Sequence, residues 1–247
     1  MDADELKAAF TNLAPLPDGD SFWTLRRAEL RARMASDDPS EFLTWSTIIS
    51  TMFVGDAPYI RDEWDALLES GEWERWKQAI AEDDVGRPAR LPDVDWTSGN
   101  LIHQAYHLLR WEQHTGQRIT SLKSIVEIGG GYGAMAKVAR RAGFGGKYLI
   151  VDTPEFSLLQ KYYLSQCGVE ADCRTQIVGR RSPGLLIALW SLSEIDIAQS
   201  DVYLDSIKPS GVLASANSVE IAIDLASRLK TNQIEIDHLP GNFYLLQ

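Results

Sequence analysis

The chain has 247 residues, 24 Lys and Arg against 35 Asp and Glu, and a formal net charge of −11. That length buries a sizeable core as one large domain or one domain with a cap, and no apolar run is long enough to span a membrane. The charge argues against a duplex or tRNA partner, whose phosphates need clustered Lys and Arg.

The acidic excess belongs to the first segment: residues 1–100 hold 21 acids and 10 bases, the remainder 14 of each. The start Met1-Asp2-Ala3-Asp4-Glu5 does not read as a signal peptide. Cys167 and Cys173 lie beyond any zinc spacing and read as free thiols, which suggests a reducing cytoplasm.

Residues 1–97 read as a helical cap. Asp4–Leu13, Phe22–Met34, Glu41–Met52, Ile60–Ser70 and Glu72–Ala81 carry apolar residues at three- and four-residue spacing. Pro15–Gly19, Asp37–Pro39 and Gly86–Pro88 punctuate them as turns, and Ser40 is placed to cap the third helix. Trp23, Trp45, Trp64, Trp73, Trp76 and Trp96 fall in this segment and read mainly as core anchors. An apolar-rich cap is also compatible with a homodimer. Leu91–Trp96 is the linker to residues 98–247.

From Ser98 helices and strands alternate. A helix over Gly99–His114 precedes strand one, Ser124–Ile128, and a helix follows Gly133. Strand two is Lys147–Val151. Thr153-Pro154-Glu155 then supplies a cap, a first-turn proline and a dipole-matching acid for a helix ending at Gly168. Strand three is expected at Cys173–Val178, strand four at Leu185–Leu189 and strand five at Val212–Ala216, with a short helix before Lys208. A helix over Val219–Leu229 leads to Gln233–His238, and Leu239-Pro240-Gly241 turns into a last strand, Asn242–Leu246. This pattern predicts an α/β fold, a doubly wound, mostly parallel seven-stranded sheet with one antiparallel strand. Its ligands would bind beyond the carboxyl ends of the strands, where strand order reverses.

Strand one runs into Glu127-Ile128-Gly129-Gly130-Gly131-Tyr132-Gly133, and Asp152 closes strand two. A glycine turn alone serves dinucleotides and plain loops as well. A dehydrogenase fingerprint would tolerate Ala134 in place of its third glycine. Glu127 argues against that rival, because a pyrophosphate gains nothing from a carboxylate beneath the turn. A carboxylate there can instead act through backbone and water on the amino-acid end of a cationic cofactor, while Asp152 accepts from two ribose hydroxyls. Together they suggest a site for S-adenosylmethionine.

Three stretches carry a resemblance: Ser98-Gly99-Asn100-Leu101-Ile102-His103, the glycine turn from Val126 to Gly133, and Leu192-Ser193-Glu194. Over about residues 99–247 the chain resembles class I S-adenosylmethionine-dependent methyltransferases, and is most similar to the sugar O-methyltransferases. The resemblance implies cofactor contacts at Glu127, Gly129, Gly130, Gly131, Tyr132, Asp152 and Thr153, and at Ser191 in the loop after strand four. Strand four begins with Gly184 where such proteins commonly carry an acid, so backbone near Val178 and Gly179 would take the adenine.

Methyl transfer to a hydroxyl needs an aligned acceptor oxygen and a base. On the helix Gly99–His114, Leu101, Ala105, Leu108 and Leu109 form the apolar stripe, with His103, His107, Arg110 and His114 opposite. Because this helix precedes strand one, its start must lie at the crevice. Asn100 and His103 are therefore nearest the chemistry, His107 one turn further, and His114 on a solvated face. His103 and His107 also match half of a metal pair, but no carboxylate joins them at helical spacing, so no metal is expected. Glu194 follows strand four and is either a base or a first-turn acid capped by Ser193. Trp190 could stack on a pyranose, and Asn100 and His238 could contact the acceptor. The sequence thus predicts an O-methyltransferase acting on a sugar hydroxyl of an oligosaccharide or glycoside. A polyketide or phenol acceptor, or a nicotinamide-dependent oxidoreductase, are the alternatives.

Overall fold

The computed structural model describes residues 1–247. Five cap helices come first: α1 (Ala3–Thr11), α2 (Phe22–Ser36), α3 (Ser46–Met52), α4 (Ile60–Glu69) and α5 (Trp73–Ala79). The alternating part follows as α6 (Gly99–Thr115), β1 (Ser124–Ile128), α7 (Ala134–Arg141), β2 (Lys147–Val151), α8 (Pro154–Gln166), β3 (Asp172–Arg174) and β4 (Leu185–Leu189). It ends with α9 (Ser191–Glu194), α10 (Ile197–Ser206), β5 (Val212–Ala216), α11 (Val219–Leu229), β6 (Asn232–Glu235) and β7 (Phe243–Leu246). No helix is long and apolar enough to cross a membrane.

The seven strands pair in the order β3-β2-β1-β4-β5-β7-β6, and only β7 runs antiparallel to its neighbours. This is the doubly wound sheet expected from the sequence. Its order reverses between β1 and β4, which opens a crevice at their carboxyl ends. Central strands are buried on both faces, so they read as unbroken apolar runs. Ile125, Tyr148, Ile150, Leu185 and Ile187 face α6, α7, α8 and the cap, while Val126, Leu149, Leu186 and Ala214 face α10 and α11.

Four expectations are corrected. Glu41–Met52 is not one helix. A 3-10 turn, Pro39–Thr44, is capped by Asp38 rather than Ser40, and Trp45 then turns extended (ψ 135°) before α3 begins. At this break the Trp45 side chain is 4% exposed and joins the core. Strand three stops at Arg174, whose partner Val151 is the last residue of β2, so no ladder remains for residues 175–178. Two helices, α9 and α10, stand where one short helix was expected. Strand six ends at Glu235 because Ile236 turns inward, 2% exposed, with its N–H bonded to the Asn242 carbonyl.

The cap and the sheet share one continuous apolar core, from Leu6 and Phe10 through Phe42 and Trp76 to Tyr163. Buried ion pairs fasten the two on several sides. Arg27 and Arg31 both hold the fully buried Glu155 at 2.7 Å, and together they outweigh the burial that would raise its pKa. Glu155 is therefore more than the dipole-matching acid expected of its helix. Arg75 grips Glu112 bidentately at 2.7 and 2.8 Å, and the buried Lys137 takes Glu82 and Asp83 at 2.8 Å each. Removing one partner from such a pair leaves an uncompensated charge, so each pair is costly to break.

Candidate active site

A cavity of about 440 Å³ opens at the carboxyl ends of β1, β2 and β4, roofed by α2, α3 and the segment after α3. A larger groove of about 1470 Å³ lies at the amino ends of β1 and β2, and none of the sequence-predicted site residues line it. The smaller cavity is the candidate site, because ligands of doubly wound sheets bind at the carboxyl ends.

Its floor is the glycine turn. Gly129 and Gly131 adopt φ 70° and 56°, open to glycine at no steric cost. A Cβ on Gly129 would also meet the Ser191 Cβ at 2.5 Å. Ser191 is fixed there by donating its hydroxyl to the Ile128 carbonyl at 2.5 Å, which joins the end of β1 to the start of α9. Glu127 lies beneath Gly130, buried, and its Oε2 accepts from the Tyr148 hydroxyl at 2.8 Å. Burial pushes its pKa up to about 8, with the nearby Asp152 charge adding to the shift and the Tyr148 hydrogen bond opposing it. Below that pH the protein alone holds Glu127 neutral. A resident negative charge is therefore not what would turn a pyrophosphate away, which corrects the sequence-based argument.

Asp152 ends β2. Its Oδ1 accepts the Thr153 N–H at 2.7 Å and its Oδ2 the Gln160 amide at 2.8 Å. Burial raises its pKa to about 7 against those bonds. Each oxygen keeps a further lone pair for a ligand hydroxyl. The adjacent Thr153 Oγ1 is buried with no partner in the protein, and both residues line the cavity. An orphaned donor beside a carboxylate suits a ribose, so this end of the cavity fits S-adenosylmethionine.

The cap side carries Trp23, Ile49, Met52, Phe53 and Val54, and the far wall Phe156, Trp190, Glu194 and Ile195. Trp190 sits in left-handed backbone at φ 58°, its N–H bonded to Ser215 Oγ at 2.9 Å and its indole N–H to Asn242 Oδ1 at 2.8 Å. A bulky residue held in that conformation marks a position its surroundings impose. Glu194 faces the cavity from the short α9, and desolvation by its surroundings raises its pKa. Ser193 donates to the Trp190 carbonyl, so it does not cap Glu194's helix through its side chain.

Three of the four histidines, His103, His107 and His238, join a largely buried polar chain. The His103 ring lies parallel to Trp190 (17°, centroids 5.8 Å apart) and lines the cavity. Its Nδ1 meets Glu63 on α4 at 2.8 Å and its Nε2 meets His107 Nε2 at 3.0 Å. His107 Nδ1 meets the Tyr244 hydroxyl at 2.6 Å, and His238 Nε2 reaches the same Glu63 oxygen at 2.8 Å. One polarity satisfies every bond: Tyr244 O–H to His107, His107 Nε2–H to His103, and His103 Nδ1–H and His238 Nε2–H to Glu63. Burial holds His107 well below the usual histidine range, consistent with a neutral link. Burial would raise Glu63, but the two histidine hydrogen bonds outweigh it and hold the carboxyl low.

The structure thus brings His103, Glu194, Glu127, Gly129, Gly130, Gly131, Tyr132, Asp152, Thr153, Ser191, Asn100 and Trp190 to one cavity. It does not bring His107, which is fully buried behind His103, or His238, whose ring nitrogen faces Glu63. Asn100 is spent inside the protein: its Oδ1 accepts the Val54 N–H at 3.1 Å and its Nδ2 donates to the Tyr132 hydroxyl at 2.6 Å. Both His103 nitrogens are engaged, which leaves no lone pair toward the cavity. His114 is exposed, as its position on the helix suggested. Val178 and Gly179 do not line the cavity.

Sequence reasoning missed Glu63, Tyr244, Trp23, Phe53 and Gln104. Glu63 had a signal. It falls on the apolar stripe of α4 between Ile60 and Leu67, where a carboxylate is buried only if partnered.

No protein-family model matches the chain, and no curated protein does. Among solved structures it is similar to the mitomycin 7-O-methyltransferase MmcR, at 13% identity over 77% of this chain and 68% of that one, TM-score 0.44. It is also similar to a methyltransferase from Pyrococcus furiosus, at 12% identity over 60% and 81%, TM-score 0.45. A third is the T. thermophilus 16S rRNA N2 G1207 methyltransferase in complex with AdoMet and guanosine, at 13% identity over 58% of this chain and 42% of that one, TM-score 0.45. Overlaps this loose carry no weight beside the strand order and the cavity.

Proposed function

We propose that the protein is an S-adenosylmethionine-dependent O-methyltransferase acting on a sugar hydroxyl. The observation that supports it most is the set of polar groups on one floor: Thr153 Oγ1 with no partner, Asp152 hydrogen-bonded yet with lone pairs to spare, and Glu127 buried beneath the glycine turn. Asp152 and Thr153 would hold the ribose. Glu127, on losing its proton, would face the amino-acid end. When bound, S-adenosylmethionine supplies the activated methyl group.

Glu194 is the base in this reading. It faces the cavity, and desolvation strengthens its hold on a proton beyond that of an ordinary carboxylate. An Oε of Glu194 would take the hydroxyl proton. His103 instead props Trp190, whose flat face would receive a pyranose ring. The cap would stay fixed rather than close, given the ion pairs that fasten it.

The apolar walls of Trp23, Phe53 and Phe156 favour a second reading, in which the acceptor is a phenol or polyketide. Calorimetry with S-adenosylhomocysteine and with NAD tests the cofactor; binding of NAD alone would refute the assignment. Transfer of labelled methyl across a panel of monosaccharides, glycosides and phenols then tests the acceptor. Turnover of phenols alone would replace the sugar.

A further inference from the structure

The cavity is small for what it has to hold. About 440 Å³ lies low in the range of roughly 300–1,000 Å³ that takes one drug-sized ligand. S-adenosylmethionine is itself of that size, so on the reading above an acceptor can place little more than one ring inside. The rest of it must lie across the mouth.

Exposed apolar side chains lie close to the cavity lining on both sides, among polar neighbours such as Thr51 and Glu194, with the Arg26 guanidinium 5.1 Å from the Phe22 ring. On the cap side Ile49 lines the cavity yet is 49% exposed, and Trp23 lines it next to Phe22, which is 55% exposed and packs edge-on against Trp23 at 5.3 Å. Leu25, half exposed, extends the Phe22 face of α2 at i, i+3 spacing. On the sheet side Ile195 lines the cavity and Ile197, two residues on, is 72% exposed. Ile49 lines the cavity, and Phe22, Leu25 and Ile197 follow within two residues of the lining residues Trp23 and Ile195, so four exposed large apolar side chains gather near the inner walls of Trp23, Phe53 and Phe156. Scattered single hydrophobics need no explanation, but a group of them near a binding cavity does. A free oligosaccharide would present hydroxyls to these surfaces, which could not satisfy them.

We propose that the acceptor is a glycoside with an apolar aglycone: the sugar ring enters beside Trp190, and the aglycone lies on the strip of Phe22, Ile49 and Ile197. This inference rests on the assignment of the site to a sugar methyltransferase. Methyl β-D-glucopyranoside and octyl β-D-glucopyranoside, the latter below its micellar concentration, share a sugar and differ in the tail. Each is titrated against the protein saturated with S-adenosylhomocysteine, with tryptophan fluorescence as readout. Burying two methylenes is worth about tenfold, so the octyl glycoside should bind at least about ten times more tightly. Phe22→Glu and Ile197→Glu should each reduce that preference while leaving S-adenosylhomocysteine affinity unchanged, since neither residue lines the cavity.

Equal affinity for the two glycosides, or a preference that survives in both variants, overturns the proposal. A dimer in light scattering that Phe22→Glu converts to monomer also overturns it, by giving the strip to a second copy. Failure of S-adenosylhomocysteine to bind would instead defeat the cofactor assignment, and it is seen separately, before any glycoside is added.

Discussion

Glu127 makes the cofactor assignment measurable through pH. In the protein alone burial holds its proton to about pH 8. The ammonium of S-adenosylhomocysteine, placed near the glycine turn, would favour the ionised carboxyl, so binding should release a proton. If only the ionised form binds, about one site in a hundred is competent at pH 6, one in ten at pH 7 and half at pH 8. Affinity should then rise about fiftyfold from pH 6 to pH 8. Asp152, with its pKa near 7, acts in the same direction where ribose hydroxyls need its carboxylate. Calorimetry in two buffers of different ionisation heat, at pH 6, 7 and 8, measures both the affinity and the protons released. In Glu127→Gln the slope should flatten to whatever Asp152 contributes. An affinity that is level or falls over this range would refute the reasoning. The protein alone should show the opposite trend in stability. A carboxyl with a raised folded-state pKa stabilises fully below its unfolded value, ordinarily 4.5, and that contribution is lost as pH rises toward 8. Its melting temperature should therefore fall over this interval, and ligand should offset the fall.

Glu194→Gln should lower turnover by about a hundredfold or more while leaving S-adenosylhomocysteine affinity intact; retained turnover would move the base elsewhere. Glu63→Ala leaves the His103 and His238 N–H donors unpaired and should cost about 1–3 kcal/mol for each in denaturant unfolding, whereas a total loss below about 1 kcal/mol would mean the cluster does not fasten the cap. Gly129→Ala drives a methyl toward Ser191 in left-handed backbone and should abolish cofactor binding. Ser191→Gly in the same chain should restore part of it; no restoration would show that backbone conformation alone is at fault.

The legible part of the site was local or topological. The glycine turn and Asp152 are fixed by their own strands. Asn100 and His103 come to the cavity because a helix that precedes β1 must begin near the crevice. His107, expected one turn along α6 from the crevice, is instead buried against Tyr244, 137 residues away. That pairing depends on where the antiparallel β7 settles, which no spacing within α6 reveals. The cap was less readable again. Its seat is set by pairs such as Arg27 with Glu155, 128 residues apart, so its contribution of Trp23 and Phe53 to the cavity had no local signature. The helix that periodicity favoured is interrupted at Trp45, whose backbone is extended and whose indole is buried in the shared core.

The shared core and the buried pairs across it bear on how such a protein could diversify. A chain beginning at residue 98 would leave Lys137 and Glu155 without the opposite charges they are built around, and Glu112 with Arg118 alone in place of its bidentate Arg75. It would also bare the apolar side of α6. The first hundred residues are thus bound to the rest of the chain by both charge and core. Single replacements of exposed side chains such as Ile49 would disturb none of these pairs.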